Sequence, residues 1–312
     1  MNLPDPEEFK LLRELCAIPA TSGDEAKVRD FLLDHCRKHS TSWKNQPEIF
    51  SGDDFQDNLM LVFGKPRTAF FAHMDTVGYT VRYDNYVVAI GGPDGASGDQ
   101  LVFEENGRIE TTSLIAATKK TPMLIDYPRP LEPGTTLTYK PAFQLDKDFL
   151  HSPYLDNRLG IFTLLQLAAE ANDIALVFTS WEEHGGGAAG YLARFLLEKY
   201  GTRQAIIADV TWSTEGVFPG NGPVVSLRDS RIPRKVFTNK IRQILLQEKL
   251  PFQLEVEAHG GSDGTELQQI PYPVDWCFIG PPSENPHTAK ESVHLKDARD
   301  FLPVLKVLAV HL

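Results

Sequence analysis

Two adjacent glutamates, Glu182 and Glu183, stand between the apolar run "IALVF" and the glycine-rich stretch "GGGAAG". Neighbouring carboxylates repel each other, and each loses hydration free energy when its site is partly buried. Because the preceding run is typical of a buried strand, the pair needs a cationic partner or a chemical role. This stretch is therefore the first candidate for a functional site.

Other polar residues also follow apolar runs. His73 and Asp75 end "FFAHMD", and Asp209 follows "AIIA". In an open α/β sheet, ligands bind at the carboxyl ends of the strands, so we expect these side chains to gather at one edge. Asp156 opens a predicted helix in "LDNRLG", and His287 follows the apolar run "VDWCFIG". Taken singly, each has an ordinary explanation such as a helix cap or a surface loop.

The residue types, taken together, suit two metal ions. Zinc binds imidazole and carboxylate groups, and its catalytic sites keep one position for water. In a pair about 3.5–4 Å apart, one carboxylate bridges and the shared water is a strong nucleophile. Zinc is the expected metal, and cobalt or manganese are alternatives because oxygen and nitrogen ligands suit all three. We predict these five ligands: His73, Asp156, Glu183, Asp209 and His287.

Glu182 is then left without a metal and is predicted to be the general base. Asp75 lies two residues from His73, so in an extended strand both side chains point to the same side. We predict that Asp75 accepts the second N–H of the His73 imidazole, as carboxylates near metal-binding histidines usually do. The glycines after the Glu pair are expected to leave room beside the metals.

Composition excludes several classes of protein. The 312-residue chain has a formal net charge of −11, which argues against nucleic-acid binding. No segment approaches the ~20 apolar residues of a membrane span, and "MNLPDPEEF" does not resemble a signal peptide. We therefore expect a cytoplasmic protein.

The three cysteines, Cys16, Cys36 and Cys277, are far apart in apolar contexts and are predicted to be buried thiols.

The pattern of apolar runs predicts an α/β fold with a mainly parallel sheet flanked by helices. The first helix is expected over "DPEEFKLLRELCAI", with Asp5 as its cap. In "TSGDEAKVRDFLLDHC", Ser22 and Glu25 have the spacing of a capping box before a second helix.

The predicted secondary structure changes between residues 78 and 150. Short β-rich runs are broken there by Gly, Pro, Asn and Asp, and no helix is predicted. We assign residues 1–77 and 151–312 to one discontinuous α/β domain that carries all the predicted site residues. Residues 78–150 form the inserted β-rich domain.

Seven segments occur in the order of a known family: "PATSGDE", "AHMDTVGY", "LDNRLG", "TSWEEHGGGAAG", "IADVT", "HGGSDGTE" and "PHTAKESVHLKD". Over its whole length the chain resembles the TET-type glutamyl aminopeptidases, dizinc enzymes that also include leucyl and lysyl aminopeptidases. The resemblance implies a zinc-peptidase-like catalytic domain and a small β-barrel-like insertion for dimerisation and substrate access. It also implies short peptide substrates and a homo-oligomer, either a dimer or a twelve-subunit particle.

The resemblance implies a role for each predicted site residue. Asp156 bridges the two metals. Glu182 takes a proton from the bridging water and gives it to the leaving amine, and Asp75 orients His73. The other ligands are implied in pairs: His73 with Asp209 on one metal, and Glu183 with His287 on the other.

The chain departs from the family pattern at three positions. Asn157 and Thr76 stand where the family has acidic residues, and His184 stands where it has an aliphatic residue. These departures leave substrate preference and the twelve-subunit assembly open. His259 and Asp263 lie in a glycine-rich stretch. We expect Asp263 to support the site without binding a metal, and the role of His259 stays open.

Two other functions remain open at this stage. "HMDTV" also resembles the first motif of dizinc amidohydrolases and carboxypeptidases of the acetylornithine deacetylase-like type. In that family, however, the extra domain follows the Glu pair, whereas here the β-rich insertion precedes Asp156. The second alternative is a metal-free binding or assembly module on the same fold, which would be expected to have lost some of the five ligands.

Overall fold

The computed structural model describes residues 7–116 and 122–312. Its helices are α1 (Lys10–Cys16), α2 (Ala26–His39), α3 (Leu155–Ala168), α4 (Ala189–Tyr200), α5 (Lys235–Gln247), α6 (Asp263–Gln269) and α7 (Leu295–His311). Within these residues, no helix has the length and apolar character needed to cross a membrane. The predicted cap Asp5 lies outside the described residues.

The first eleven strands are β1 (Glu48–Phe50), β2 (Leu59–Phe63), β3 (Thr68–His73), β4 (Gly78–Val81), β5 (Val87–Ile90), β6 (Gln100–Glu105), β7 (Arg108–Ile115), β8 (Leu124–Asp126), β9 (Thr136–Tyr139), β10 (Gln144–Leu145) and β11 (Phe149–Ser152). The later strands are β12 (Ile174–Thr179), β13 (Gln204–Ala208), β14 (Thr211–Trp212), β15 (Val224–Arg228), β16 (Gln253–Val256), β17 (Asp275–Gly280), β18 (Pro282–Glu284) and β19 (Glu291–His294). They form three sheets.

The central sheet has eight strands in the order β1-β2-β12-β3-β13-β17-β15-β16. Its middle strands β12, β3, β13 and β17 are parallel to one another. Strands β1 and β2 are antiparallel additions on one side, and β15 runs antiparallel to β17 on the other. The predicted α/β fold is confirmed. The prediction of a mainly parallel sheet holds for the centre, and the sheet is mixed towards its edges.

Helices cover both faces of this sheet. In β3, Phe70 packs into the larger core with α1, α2, α3, α5 and α7, while Phe71 packs into the core formed by α4 and α6. Burial on both faces explains why "TAFFAH" is almost wholly apolar instead of alternating. The three cysteines are free and buried, as predicted.

A second, antiparallel sheet contains the strands between residues 78 and 139, in the order β5-β4-β9-β6-β7-β8. A bridge between Tyr86 and Leu124 connects its two ends, so the sheet is a nearly closed barrel. It encloses its own core, which includes Tyr79, Phe103 and Leu137. The β-rich, barrel-like character predicted for this region is therefore present.

The third sheet has the order β10-β11-β19-β18-β14. It pairs residues 144–152 with strands near the C-terminus, because β11 lies antiparallel to β19. This pairing anchors the chain just before α3, the helix that carries Asp156.

Helix α3 approaches the end of β13 unusually closely. A Cβ atom at Gly160 would lie 2.2 Å from the Ala208 carbonyl oxygen, so this contact requires glycine. The Asn157 side chain fills the same junction: its Oδ1 accepts the Gly160 N–H at 2.9 Å, and its Nδ2 donates to Ala208 O at 2.9 Å. Asn157, and not Asp156, is thus the side chain that caps the helix. The Asp156 carboxylate remains available for the site.

The capping box predicted at Ser22 and Glu25 is wrong. Helix α2 has no side-chain cap. The Ser22 hydroxyl donates instead to Asp75 Oδ2 at 2.6 Å. Glu25 Oε1 accepts the N–H of Gly23 at 2.9 Å and that of Trp181 at 3.0 Å. Both side chains have tertiary partners that local spacing cannot reveal.

The buried Glu25 gives a testable pH dependence. Burial, followed by repulsion from Asp75, raises the pKa of Glu25 from 4.5 to about 7. The folded state therefore binds the extra proton between these values, and its stability falls as pH rises through this window. Glu25→Gln keeps an oxygen acceptor without the charge. We expect the variant to gain up to about 3 kcal/mol over the wild type between pH 4.5 and pH 7, measured by urea unfolding. If the free energies of unfolding of the wild type and the variant changed with pH in the same way, the raised pKa of Glu25 would be contradicted.

Candidate metal and catalytic site

The predicted site residues come together at the carboxyl edge of the central sheet. His73 is the last residue of β3, Asp209 directly follows β13, and the Glu pair follows β12. These three strands are neighbours in the order β12-β3-β13, so their ends bring distant segments side by side. Asp156 arrives from the start of α3 and His287 from the connection between β18 and β19.

The side chains form two groups, each with donor atoms within 4.8 Å of one another: His73, Asp156 and Asp209 in one, and Asp156, Glu183 and His287 in the other. Asp156 belongs to both. Its Oδ1 lies 2.9 Å from His73 Nε2, and its Oδ2 lies 3.4 Å from His287 Nε2. Within each group the last carboxylate is also close, with Asp209 Oδ2 3.5 Å from His73 Nε2 and Glu183 Oε2 3.4 Å from His287 Nε2.

This donor set fits divalent cations. Three carboxylates converge on two imidazoles in a site where His73 is 2% and Asp209 4% exposed. The buried Glu183 Oε1 has no hydrogen-bond partner. Buried anionic oxygens without partners are costly, and nitrogen and carboxylate ligands are those that zinc prefers.

The pKa values show how strongly the site attracts positive charge. Burial raises the pKa of Glu183 well above its ordinary value, and repulsion from Asp156 adds to this shift. Burial also raises the pKa of Asp209 to about 6. For His287 burial lowers the pKa, but Asp156 and Glu183 outweigh it and raise the value to about 10. Without metal ions, bound protons offset the negative charge of these carboxylates. Divalent ions would displace those protons on binding.

The two adjacent glutamates have different surroundings. They lie in a short 3-10 turn after Trp181, whose φ is +66°. Glu183 Oε2 faces His287, whereas Glu182 belongs to neither ligand group and its Oε2 lies 4.0 Å from His73 Nε2. Burial raises the pKa of Glu182 well above its ordinary value, and the neighbouring Glu183 contributes to the increase.

Asp75 holds the turn that carries this pair. Its carboxylate is fully buried and accepts the N–H of Glu182 at 3.1 Å, the N–H of Glu183 at 3.0 Å and the hydroxyl of Ser22 at 2.6 Å. The His73 Nδ1 atom lies 3.5 Å from Asp75 Oδ1 but only 3.1 Å from the Asp75 main-chain oxygen. The His73 imidazole therefore bonds to the Asp75 main chain and not, as predicted, to its carboxylate. The carboxylate holds the glutamate turn instead, a role that the sequence did not suggest.

Glu291 was not identified from the sequence. It is 1% exposed and accepts the backbone N–H groups of Asp156 at 2.9 Å and Tyr154 at 3.3 Å. Burial, together with the charge of Asp156, raises the pKa of Glu291 to about 8. It holds the backbone of Asp156, the residue common to both groups. The sequence signal for Glu291 is its position four residues after His287 in "PHTAKE".

The barrel sheet contributes directly to the placement of His287. The His287 Nδ1 atom donates to Gly92 O at 3.1 Å, and the His287 main-chain oxygen accepts from Asp94 N at 2.9 Å. His184, which the family pattern left unexplained, accepts the Gly91 N–H on its Nδ1 at 3.0 Å. The segment after β5 thus contacts both His287 and the glutamate turn.

Three residues with open roles have definite surroundings. The Thr76 hydroxyl donates to Ala20 O at 3.0 Å. Asp263 is buried and its Oδ2 accepts the Thr179 hydroxyl at 2.6 Å, while burial raises the pKa of Asp263 to about 7. His259 is exposed and lines the cavity in front of the two ligand groups.

One of the glycines after the Glu pair, Gly186, has a reason other than the one predicted. A Cβ atom at Gly186, whose φ is +72°, would lie 2.1 Å from Glu266 Oε1. The Glu266 carboxylate binds this loop by accepting the N–H groups of Gly187 and Gly190, the second at 2.9 Å. Gly186 makes room for Glu266, and not for metals.

Known proteins resemble this chain in sequence and in fold. The chain is 24% identical over 345 residues to a curated relative from Acetivibrio thermocellus that bears an aminopeptidase name, covering 97% of this chain and 98% of the relative. The fold matches the aminopeptidase of the archaeon Desulfurococcus kamchatkensis with a TM-score of 0.84, 19% identity and coverage of 97% and 94% of the two chains.

The fold also matches the TET1 peptidase of Pyrococcus horikoshii, with a TM-score of 0.82, 21% identity and coverage of 96% of this chain and 98% of that one. Residues 129–302, more than half of the chain, match the family model described as M42 glutamyl aminopeptidase. The resemblance to TET-type aminopeptidases is therefore confirmed, and the chain belongs to the M42 glutamyl aminopeptidase family.

Proposed function

We propose that this protein is a dinuclear-metal aminopeptidase that removes N-terminal residues from short peptides. The observation that carries the proposal is the pair of ligand groups that share Asp156, with the unligated Glu182 beside them. Membership in a peptidase family favours this reading over an amidohydrolase. The complete donor set disfavours a metal-free binding module.

Asp156 would bind both metals in this proposal. His73 and Asp209 would complete one metal site, and Glu183 and His287 the other. Two divalent ions, when bound, supply Lewis acidity that polarises a peptide carbonyl and lowers the pKa of water. Zinc is the expected metal, with cobalt and manganese as alternatives.

Glu182 would move the proton during hydrolysis. It would accept a proton from the attacking water and then donate it to the nitrogen of the leaving amine. Its pKa, raised by burial, brings the carboxyl closer to the working range of a general base. Asp75 fixes the Glu182 backbone through the N–H bond at 3.1 Å, so the carboxylate starts from a defined position.

We propose that residues 78–150 form the inserted domain for dimerisation and substrate access, and that residues 1–77 and 151–312 form the catalytic domain. The separate barrel core supports this division. The contact of His184 with Gly91 supports a role for the insertion at the site entrance.

We further propose a homo-oligomer, either a dimer or a twelve-subunit particle. The Pyrococcus horikoshii TET1 peptidase assembles into a tetrahedron or a large octahedral shell, and a related TET1 structure is a dodecamer. A cytoplasmic location remains a prediction from the sequence.

One plate assay tests the activity. Purified protein loaded with zinc, cobalt or manganese is mixed with aminoacyl-p-nitroanilides and, separately, with N-acetylated amino acids. Release of nitroaniline without deacetylation supports the aminopeptidase. Deacetylation alone would favour the amidohydrolase, and neither activity together with no bound metal would favour the binding module.

Glu182→Gln should keep the metals and lose turnover. The substitution preserves size but removes the proton-carrying group, which contributes about 10²- to 10⁴-fold in rate. Metal content by mass spectrometry and nitroanilide turnover are measured on the same sample. Glu132→Gln, at an exposed position in the barrel region, is the matched control. Turnover by Glu182→Gln near that of the wild type would disprove the assignment.

Asp156→Ala should lose both metals, because its two oxygens face different ligand groups. Asp209→Ala removes a ligand from one group only and should lose one metal. The measurement is metal content per chain after dialysis, with circular dichroism to confirm folding. Retention of one metal by Asp156→Ala would argue against a shared ligand.

A further inference from the structure

The cavity in front of the ligand groups has a second set of lining residues that hydrolysis does not use. Its volume is about 390 Å³, and it includes Asp156, Glu182 and His287 in its lining. The remaining lining comes largely from β14, from β16 and from the segments after β15 and β16. It includes Thr211, Trp212, Asp229, Glu255 and Glu257.

This second part of the lining is acidic. Asp229 and Glu255 are 7% and 4% exposed, and Glu257 is partly buried. Among the described residues that line the cavity there is no lysine or arginine. Among the protein's own side chains in the lining only histidines can be cationic, and Arg231, whose charge acts on Asp229, lies outside it. A ligand with positive charge would find few competing cations there.

The acidic residues lie close to the proposed reaction centre. The Thr211 hydroxyl donates to Glu255 Oε1 at 2.5 Å, and Thr211 is only two residues from Asp209. The Glu257 N–H donates to Arg228 O at 2.9 Å, which places Glu257 beside Asp229. In an aminopeptidase the N-terminal residue adjoins the cleaved bond, so its side chain must enter the space next to the metal ligands.

The same cavity also offers apolar surface. Trp212, 48% exposed, and Phe278 both belong to its lining. Long cationic side chains bury their methylene stems against apolar surface while the charged end meets polar groups. A lining that combines aromatic rings with carboxylates matches such a side chain.

We propose that this cavity selects peptides whose N-terminal residue is lysine or arginine. The inference rests on the proposed aminopeptidase function. The stem of the side chain packs against Trp212 and Phe278, and its cationic end binds the carboxylates of Asp229, Glu255 and Glu257. An N-terminal glutamate is repelled by the same three groups, despite the glutamyl name of the family.

The test compares p-nitroanilides of lysine, arginine, norleucine and glutamate. Norleucine has nearly the shape of lysine without its charge. Hydrogen bonds to a charged group predict a kcat/KM for lysine and arginine about 10- to 100-fold above that for norleucine. Norleucine or glutamate equal to or better than lysine would overturn the selection and leave the proposed function intact. No turnover of any substrate with any of the three metals would overturn both.

Variants separate side-chain recognition from recognition of the α-amine. Glu257→Gln should lower the lysine-to-norleucine ratio of kcat/KM by about tenfold. Asp229→Asn should act in the same direction, since its amide oxygen still accepts the Arg231 N–H that Asp229 Oδ1 accepts at 2.5 Å. Glu132→Gln should keep the ratio. An equal loss for lysine and norleucine in both cavity variants would assign the carboxylates to the α-amine and overturn the proposal.

Discussion

The buried Asp75 carboxylate is the constraint on which the site depends. It lies just beyond β3 and accepts both N–H groups of the glutamate turn that follows β12. A carboxylate without exposure is stable only when its oxygens have donors, and the Ser22 hydroxyl completes the set, while His73 Nδ1 lies 3.5 Å from Oδ1. Burial raises the pKa of Asp75, but His73, the Ser22 hydroxyl and the Glu183 N–H together outweigh burial and lower the value, so Asp75 remains an anion and a strong acceptor.

This constraint explains how two neighbouring glutamates have different surroundings. Once both N–H groups are held, the direction of each side chain follows from the 3-10 turn. Glu183 joins a ligand group and Glu182 does not. Preorganisation of this kind matters because a catalytic group held in place has no reorganisation cost during the reaction.

The inserted barrel is part of the site and not only an attachment to it. The segment after β5 contacts His287 through Gly92 and the glutamate turn through Gly91. Another part of the cavity lining comes from β14, from β16 and from the segments that follow β15 and β16. In the proposed function, groups that would fix the reaction centre and groups that would select the substrate come from different elements, so selectivity could change without disturbing the metal ligands.

The sequence by itself determined the α/β class, the β-rich insertion and the residue types at the ends of the central strands. These follow from apolar periodicity and from the rule that parallel strands end at one edge, which are local properties of the chain. Only the tertiary structure decided the partners. Ser22 and Glu25 have the spacing of a capping box but bond to Asp75 and Trp181, and Glu291 supports Asp156 from 135 residues away. Hydrogen bonds between distant segments and the charge of a cavity depend on packing in three dimensions, which sequence spacing does not encode.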